Sequence, residues 1–315
     1  MTETIDRMVS FIETKEYLRF AEFCDACRQY RYVGLCHGPP GVGKTLSARR
    51  YGGAENREVE AAPGHLGGEV PSTADGRSTV FYTVPVVSTP GILEREIGAC
   101  RQELHELLLE PLRQEEEAAI QAARAREREQ TKEWQEMLFR HDWFSGPPPR
   151  HVAVEPTIVE MLEMHRKKRK DLADPTDLIL IDEADRLRMS GLEAVRAVFD
   201  RGGVGLVLIG MPGMEKRLAR YPQFYSRIGF VHGFRSLGAP EVRSLIGAGW
   251  TPPNVVLPPI QEEAIAAIVR ITGGNFRLLD RLLLQAGRIV KLNGLTSVTV
   301  EAVNAARESL VIGQA

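Results

Sequence analysis

No run of eighteen apolar residues occurs in this 315-residue chain, so it contains no candidate membrane-spanning helix. The opening MTETIDRMVSFIETKEY is acidic and lacks the apolar stretch and cleavage site of an export signal, which predicts a cytoplasmic protein. A surplus of charge is also missing. Lys and Arg total 40 against 42 Asp and Glu, a net charge of −2, which excludes a globally basic nucleic-acid binder and leaves local patches to be sought one by one. Cysteine is scarce. Of the four, at 24, 27, 36 and 100, Cys24-x-x-Cys27 has no second pair at metal-site spacing, so all four read as buried reduced thiols. The seven histidines include no H-x-x-x-H pair, which leaves a metal hydrolase without support. No repeat of 20 to 50 residues is present. What is there, 43% hydrophobic and 26% charged residues, suits a soluble globular chain of one large domain or two unequal ones.

Against that ordinary background stands GLCHGPPGVGKTLSARRY, residues 34 to 51. Gly38, Gly41, Gly43, Lys44 and Thr45 fit G-x-x-x-x-G-K-[ST], and Pro39, Pro40, Val42 and Leu46 complete the loop and its exit. In such a loop backbone N–H groups cradle phosphate, the lysine reaches the β and γ oxygens, and the hydroxyl binds Mg²⁺. YVGLCH before it reads as a buried strand, and KTLSARRY after it as a helix whose positive dipole end faces the anion. The guanine-reading N-K-x-D motif is absent, so ATP is the expected nucleotide.

Residues 3 to 30 are expected to form one helix leading into this loop. Residues 52 to 79, rich in Gly, Pro and small polar side chains, predict a long loop, and TVFYTVPVV a strand. From 112 to 145 there is no Gly or Pro, and good helix formers of both charge signs predict a long solvated helix whose aromatic end, Trp134 to Phe144, could dock a partner. TIVEMLEM then predicts a helix ending in the basic cluster HRKKRK, 165 to 170, placed either to complement the helix C-terminus or to meet a phosphate backbone. LILI and GVGLVLIGM read as buried strands, and from 237 onward the pattern turns helical, as in a separate small domain.

LILIDEADRL supplies the second half of a nucleotide site. Asp182, at a strand end, can hold Mg²⁺ through its water shell, and Glu183 can polarise an attacking water. Hydrolysis is therefore expected rather than phosphoryl transfer to a metabolite.

In this order GPPGVGKT, LILIDEAD, LVLIGMPG, YSRIGF and GGNFRLL resemble an AAA+ ATPase from about residue 31 to the end. Within that superfamily the start helix, Gly-Met-Pro at 210 to 212 and PQFYSRI look most like the transposition regulators TniB, TnsC and MuB. The resemblance implies an α/β P-loop core with a parallel sheet over 31–235, carrying the 112–145 helix as an insertion, a helical lid over 236–315, and an N-terminal helix over 1–30. It also implies Arg227 as an arginine finger acting on the neighbouring subunit, with Arg220 its rival, and Arg277 as the sensor 2 residue. Gly210 or Met211 stands where a polar sensor 1 residue is usual, which predicts slow turnover.

The function so implied is an ATP-dependent homo-oligomer, ring or filament, that binds double-stranded DNA without sequence preference and communicates with a transposase. MuB-like proteins carry an N-terminal DNA-binding domain for which thirty residues leave no room, so DNA contact is expected from the ATPase domain. Candidates are Ser88 and Thr89 after the second strand, and Lys167, Lys168 and Lys170 in the basic cluster. A helicase-loader or initiator ATPase fits the same motifs. So does a signalling or defence switch that binds protein and touches no DNA.

Overall fold

The computed structural model describes residues 11–53, 68–69, 78–141, 146–147, 150, 156–171, 174–253 and 255–310. It divides into two compact units, residues 1–97 with 177–315, and residues 98–176. Among the described residues no helix is long and apolar enough to cross a membrane.

The first unit is built on a six-stranded sheet of β1 (Val33–His37), β2 (Gly68–Glu69), β3 (Thr79–Thr83), β4 (Leu178–Asp182), β5 (Gly205–Gly210) and β6 (Ile228–Gly233), in the order β2-β3-β4-β5-β1-β6. All neighbours pair in parallel except β2 with β3. β4 and β5 are buried along their whole length, which is why they read as unbroken apolar runs and not as alternating ones. Parallel strands put their carboxyl ends on one edge, where the loops that bind ligands gather.

Helix α1 (Lys15–Tyr30) begins where Thr14 Oγ1 accepts from the N–H of Tyr17 at 3.1 Å. The helix expected from residue 3 therefore starts later: residues 11 to 14 are not helical, and the first ten lie outside the described residues. Phe20, Phe23, Cys24 and Cys27 of α1 join Cys36, Phe81, Leu180, Val207 and Phe234 in one buried cluster. Gly34 makes this approach possible, since a Cβ there would stand 2.4 Å from Cys27 Sγ. All four cysteines are buried and reduced. Burial pushes the Cys27 thiol up to about 12, so it stays protonated.

Helix α2 (Lys44–Tyr51) follows the phosphate loop. Most of the 52–79 segment lies outside the described residues, although it contains the short strand β2.

The second unit is a helical hairpin. Its first arm belongs to α3 (Pro90–Arg140), which starts 22 residues before the expected 112 and runs through Pro111. A proline that punctuates the sequence reading is tolerated here, inside a helix held by burial of Leu104, Leu109 and Ala123. The start at Pro90 suits proline, whose fixed φ matches the first helical turn. The second arm is α4 (Ile158–Asp171). Arg169 Nη1 donates to Glu116 at 2.5 Å, Lys168 lies 3.6 Å from Glu115, and Arg101 lies 2.6 Å from Asp174. Trp143 and Phe144 of the expected aromatic end lie outside the described residues, and Phe139 is 93% exposed.

Back in the first unit, α5 (Met189–Asp200), α6 (Met214–Leu218) and α7 (Pro222–Tyr225) connect the last strands. The C-terminal helices α8 (Ala239–Gly247), α9 (Glu262–Thr272), α10 (Phe276–Leu292) and α11 (Val300–Glu308) bury their own core. In α10 that core stripe is Leu279, Leu282, Leu283, Ala286 and Val290, the three-to-four spacing of an amphipathic helix.

Candidate nucleotide site

The loop from Gly38 to Gly43 joins the C-terminal end of β1 to the N-terminus of α2, where backbone N–H groups without helical partners are available to an anion. Lys44 Nζ folds over the loop and donates to the carbonyls of Gly38 at 2.6 Å and Pro39 at 2.7 Å. Burial lowers the pKa of this ammonium from the ordinary lysine value, and nearby negative groups, Asp182, Glu183 and Asp185 among them, oppose that shift. A partly desolvated cation whose hydrogen-bond partners among the described residues are two carbonyls can exchange them for phosphate oxygens.

Thr45 Oγ1 donates to Asp182 Oδ2 at 2.7 Å, although the two residues are 137 apart in sequence. A hydroxyl and a carboxylate so placed beside a phosphate loop are the hard oxygen donors that suit Mg²⁺, which keeps several waters and takes few protein ligands. The residues present therefore fit ATP with Mg²⁺. Val42 is buried and Leu46 exposed, one under the loop and one at its exit.

Asp182 ends β4, and its Oδ1 accepts the N–H of Glu183 at 2.8 Å. Glu183 stands in the left-handed region at φ 54°, one of only two described non-glycine residues with positive φ. Such a conformation costs about 1 kcal/mol or more and persists where the surroundings enforce it. Here it turns the chain sharply between β4 and a short 3₁₀ turn, Ala184–Arg186, and leaves the Glu183 carboxylate partly exposed, 3.7 Å from Arg186. A carboxylate presented in this way can accept a proton from water.

The lid reaches the loop directly. Asn275 caps α10 by accepting the N–H of Leu278 at 3.3 Å while its Nδ2 donates to the carbonyl of Pro40 at 2.8 Å. The N–H of Arg277 donates to Gly41 O at 3.0 Å. Gly41 has φ +79°, and a Cβ there would stand 2.7 Å from both Asn275 Oδ1 and Arg277 Cβ, so only glycine permits the contact. The Arg277 side chain starts beside the phosphate loop and is exposed.

Three residues of this neighbourhood were not singled out from sequence. Asn275 was signalled by its place just before an apolar-periodic run, the usual position of a helix N-cap. Asp185 has a buried Oδ1 with no hydrogen-bond partner among the described residues, and that atom lies 3.1 Å from where a Cβ on Gly210 would stand. The end of β5 is thus filled by Asp185 and Met214, leaving no room for a side chain on Gly210, one of the two positions where a polar sensor residue is usual. Asp200 holds Arg227, and no local pattern pointed to it. The rival Arg220 is exposed and makes no side-chain hydrogen bond or ion pair among the described residues.

The remaining candidates lie elsewhere. Thr89 caps the start of α3, its Oγ1 accepting from Ile92 at 3.4 Å, and Ser88 is half-buried beside it. In the hairpin Lys168 is paired with Glu115, whereas Lys167 and Lys170 are exposed and make no ion pair among the described residues.

A parallel sheet with a phosphate loop on β1, adjacent acids on β4 and a helical lid touching the loop defines a P-loop nucleotide-binding protein of the AAA+ type. The chain belongs to the AAA domain family, whose profile matches residues 27–218. It is 37% identical over 314 residues to a "Potential ATP-binding protein" of Staphylococcus aureus, covering 96% of this chain and 97% of that one. Among solved structures its fold is similar to Cdc6p of Pyrobaculum aerophilum, 14% identical with a TM-score of 0.53, over 98% of this chain and 71% of that one. It is likewise similar to Aeropyrum pernix ORC1, 19% identical with a TM-score of 0.51, over 97% of this chain and 68% of that one.

Proposed function

We propose that this chain is a cytoplasmic, self-associating ATPase that marks double-stranded DNA and regulates a transposase, with ATP binding building the assembly and hydrolysis releasing it. In this reading residues 31–235 are the core, with the hairpin inserted, 236–315 the lid and 1–30 a leading helix. The observation that carries it is the meeting of Thr45 and Asp182 at 2.7 Å beside Lys44. That constellation serves hydrolysis of a Mg²⁺-bound nucleotide, because Glu183 follows at once with a carboxylate turned outward by its backbone.

Mg²⁺, when bound with ATP, would neutralise charge on the phosphates. Lys44 would bind the same phosphates, Thr45 and Asp182 would hold the ion, and Glu183 would orient a water and take its proton. Arg277 would approach from the lid. Arg227 would be supplied to the site of a second copy, where a cation adds stabilisation to the transferring phosphoryl group. With Gly210 or Met211 standing where a polar sensor residue is usual, turnover would be slow.

The DNA half of the reading rests on the sequence resemblance and is supported by the fold shared with an ORC1 solved in complex with DNA. The transposase rests on the resemblance to TniB, TnsC and MuB alone. A helicase loader would use the same site. One observation favours the protein-binding switch instead: the hairpin pairs Lys168 and Arg169 with its own acids while leaving Phe139 exposed. A gel shift with random duplex and a non-hydrolysable ATP analogue, run beside Mg²⁺-dependent phosphate release, separates these readings. ATP-dependent shifts with unrelated sequences are expected. Phosphate release without any shift at low salt would leave the protein-binding switch.

A further inference from the structure

Arg227 follows α7 at the entry to β6, and its main chain is fixed on both sides. Its N–H donates to Phe224 O at 3.0 Å and its carbonyl accepts from Val33 at 3.2 Å. The side chain is held as firmly. Nε donates to Asp200 Oδ1 at 2.6 Å, Nη2 to Asp200 Oδ2 at 3.0 Å, and Nη1 to the carbonyl of Gln223.

Asp200 is an unexpected residue for its position. It is the last residue of α5, where the helix carries partial negative charge and a carboxylate is disfavoured. What offsets that cost is Arg227, together with Arg196, whose Nε lies 3.7 Å from Asp200 Oδ2 and whose Nη1 donates to Gln223 Oε1 at 2.8 Å. Nη1 also donates to Ser226 Oγ at 3.5 Å, so of the five N–H donors of the guanidinium these contacts use four. One remains, on Nη2, on a side chain that is 33% exposed.

Resting on the reading of Arg227 as a group that acts on a neighbouring copy, we infer that Asp200 is the positioning residue of Arg227. It grips one edge of the guanidinium and leaves the second N–H of Nη2 to the oxyanion of a phosphate carried by a second copy of this chain. A two-point carboxylate contact fixes the plane as well as the position of the group. The orientation is then set before assembly, and the loss of freedom that a mobile arginine would suffer at the transition state has already been met.

The test is steady-state ATP turnover of the full chain at concentrations where sedimentation shows self-association, for wild type, Asp200→Ala, Asp200→Asn, Arg227→Ala and the Arg227→Ala/Asp200→Ala double variant. Asp200→Ala is expected to lower kcat about ten- to a hundredfold, the scale of a catalytic group set out of place, with KM and self-association unchanged. Asp200→Asn, which keeps the shape and one acceptor oxygen, should fall between Asp200→Ala and wild type, and it serves if the alanine variant does not fold. The double variant should be no slower than Arg227→Ala alone, because a positioning residue has nothing left to position. Turnover of Asp200→Ala at or above wild type, with Arg227→Ala inactive, overturns the inference and leaves Arg227 as the acting group. A double variant much slower than Arg227→Ala overturns it as well. Wild-type turnover in Arg227→Ala removes the reading of Arg227 itself, and the inference with it.

Discussion

The phosphate loop and the helical hairpin both gather charged side chains at helix ends, and they use them in opposite ways. Lys44 is satisfied by two main-chain carbonyls, so its charge is not cancelled by a dedicated carboxylate and remains available to an incoming anion. In the hairpin Arg169 and Lys168 are matched to Glu116 and Glu115 on the opposite arm. Charge held by backbone can be redirected to a ligand, whereas charge held by a facing side chain mainly sets the register of two helices. Asp200 and Arg227 combine the two uses, a side-chain pair that still leaves one N–H unspent.

The comparison breaks first at Lys44. If its charge is reserved for phosphate, Lys44→Ala should raise the Kd for a fluorescent ATP analogue at least about a hundredfold, since a charge-assisted contact to phosphate is lost. Of the two carbonyls freed, that of Pro39 lies on an exposed residue and that of Gly38 on a buried one, so the fold should persist with a modest loss of stability. Titration of the analogue decides it, and wild-type affinity would show that the loop binds nothing through this lysine.

Glu183→Gln comes next in size. The amide keeps the shape and the left-handed turn but cannot take a proton, so turnover should fall about a hundredfold or more while analogue affinity stays within a few-fold. Phosphate release and analogue titration on the same sample read both quantities. Unchanged turnover would transfer the role of base to another group, Asp185 being the nearest orphaned carboxylate.

How much of this was legible in the sequence differed by region for physical reasons. The loop, β4 and β5 were readable because a phosphate site needs particular residues at fixed spacing and buried parallel strands need unbroken apolar runs. The lid helices were readable from their amphipathic period. The boundaries of α3 were not, since Pro90 is acceptable at a helix start and Pro111 is tolerated where flanking apolar residues are buried, and neither condition is visible locally. The pairing of Glu115 and Glu116 with Lys168 and Arg169 joins residues 53 apart, and that of Asp200 with Arg227 joins residues 27 apart. Long-range ion pairs leave no periodic trace.

In the hairpin, Arg169→Ala should leave the Glu116 carboxylate buried without its charged partner. A cost of about 1 to 3 kcal/mol is expected, confined to α3 and α4. Hydrogen exchange of the amides in those two arms should speed up while analogue affinity stays at the wild-type value. Loss of nucleotide binding in this variant would show that the hairpin is not merely self-supporting and would erase the contrast with the loop.

The smallest effect tests whether any cation of the hairpin escapes this mutual pairing. In the basic cluster Arg166, Lys167 and Lys170 are exposed and have no acidic partner among the described residues, so of the lysines Lys167 and Lys170, and not Lys168, are free to meet a DNA backbone. Each phosphate contact releases condensed counterions and contributes roughly 0.9 to the slope of log K against log salt. Replacing Lys167 and Lys170 together by Gln should flatten that slope by about 1.8 per subunit if both lie on the DNA path, whereas Lys168→Gln should change it little, because its charge is already shared with Glu115. Gel shifts with random duplex at several salt concentrations measure it in variants whose assembly has been verified. An unaltered slope for the Lys167 and Lys170 pair would take both lysines off the DNA path and turn the search for the DNA contact to the loop at Ser88 and Thr89.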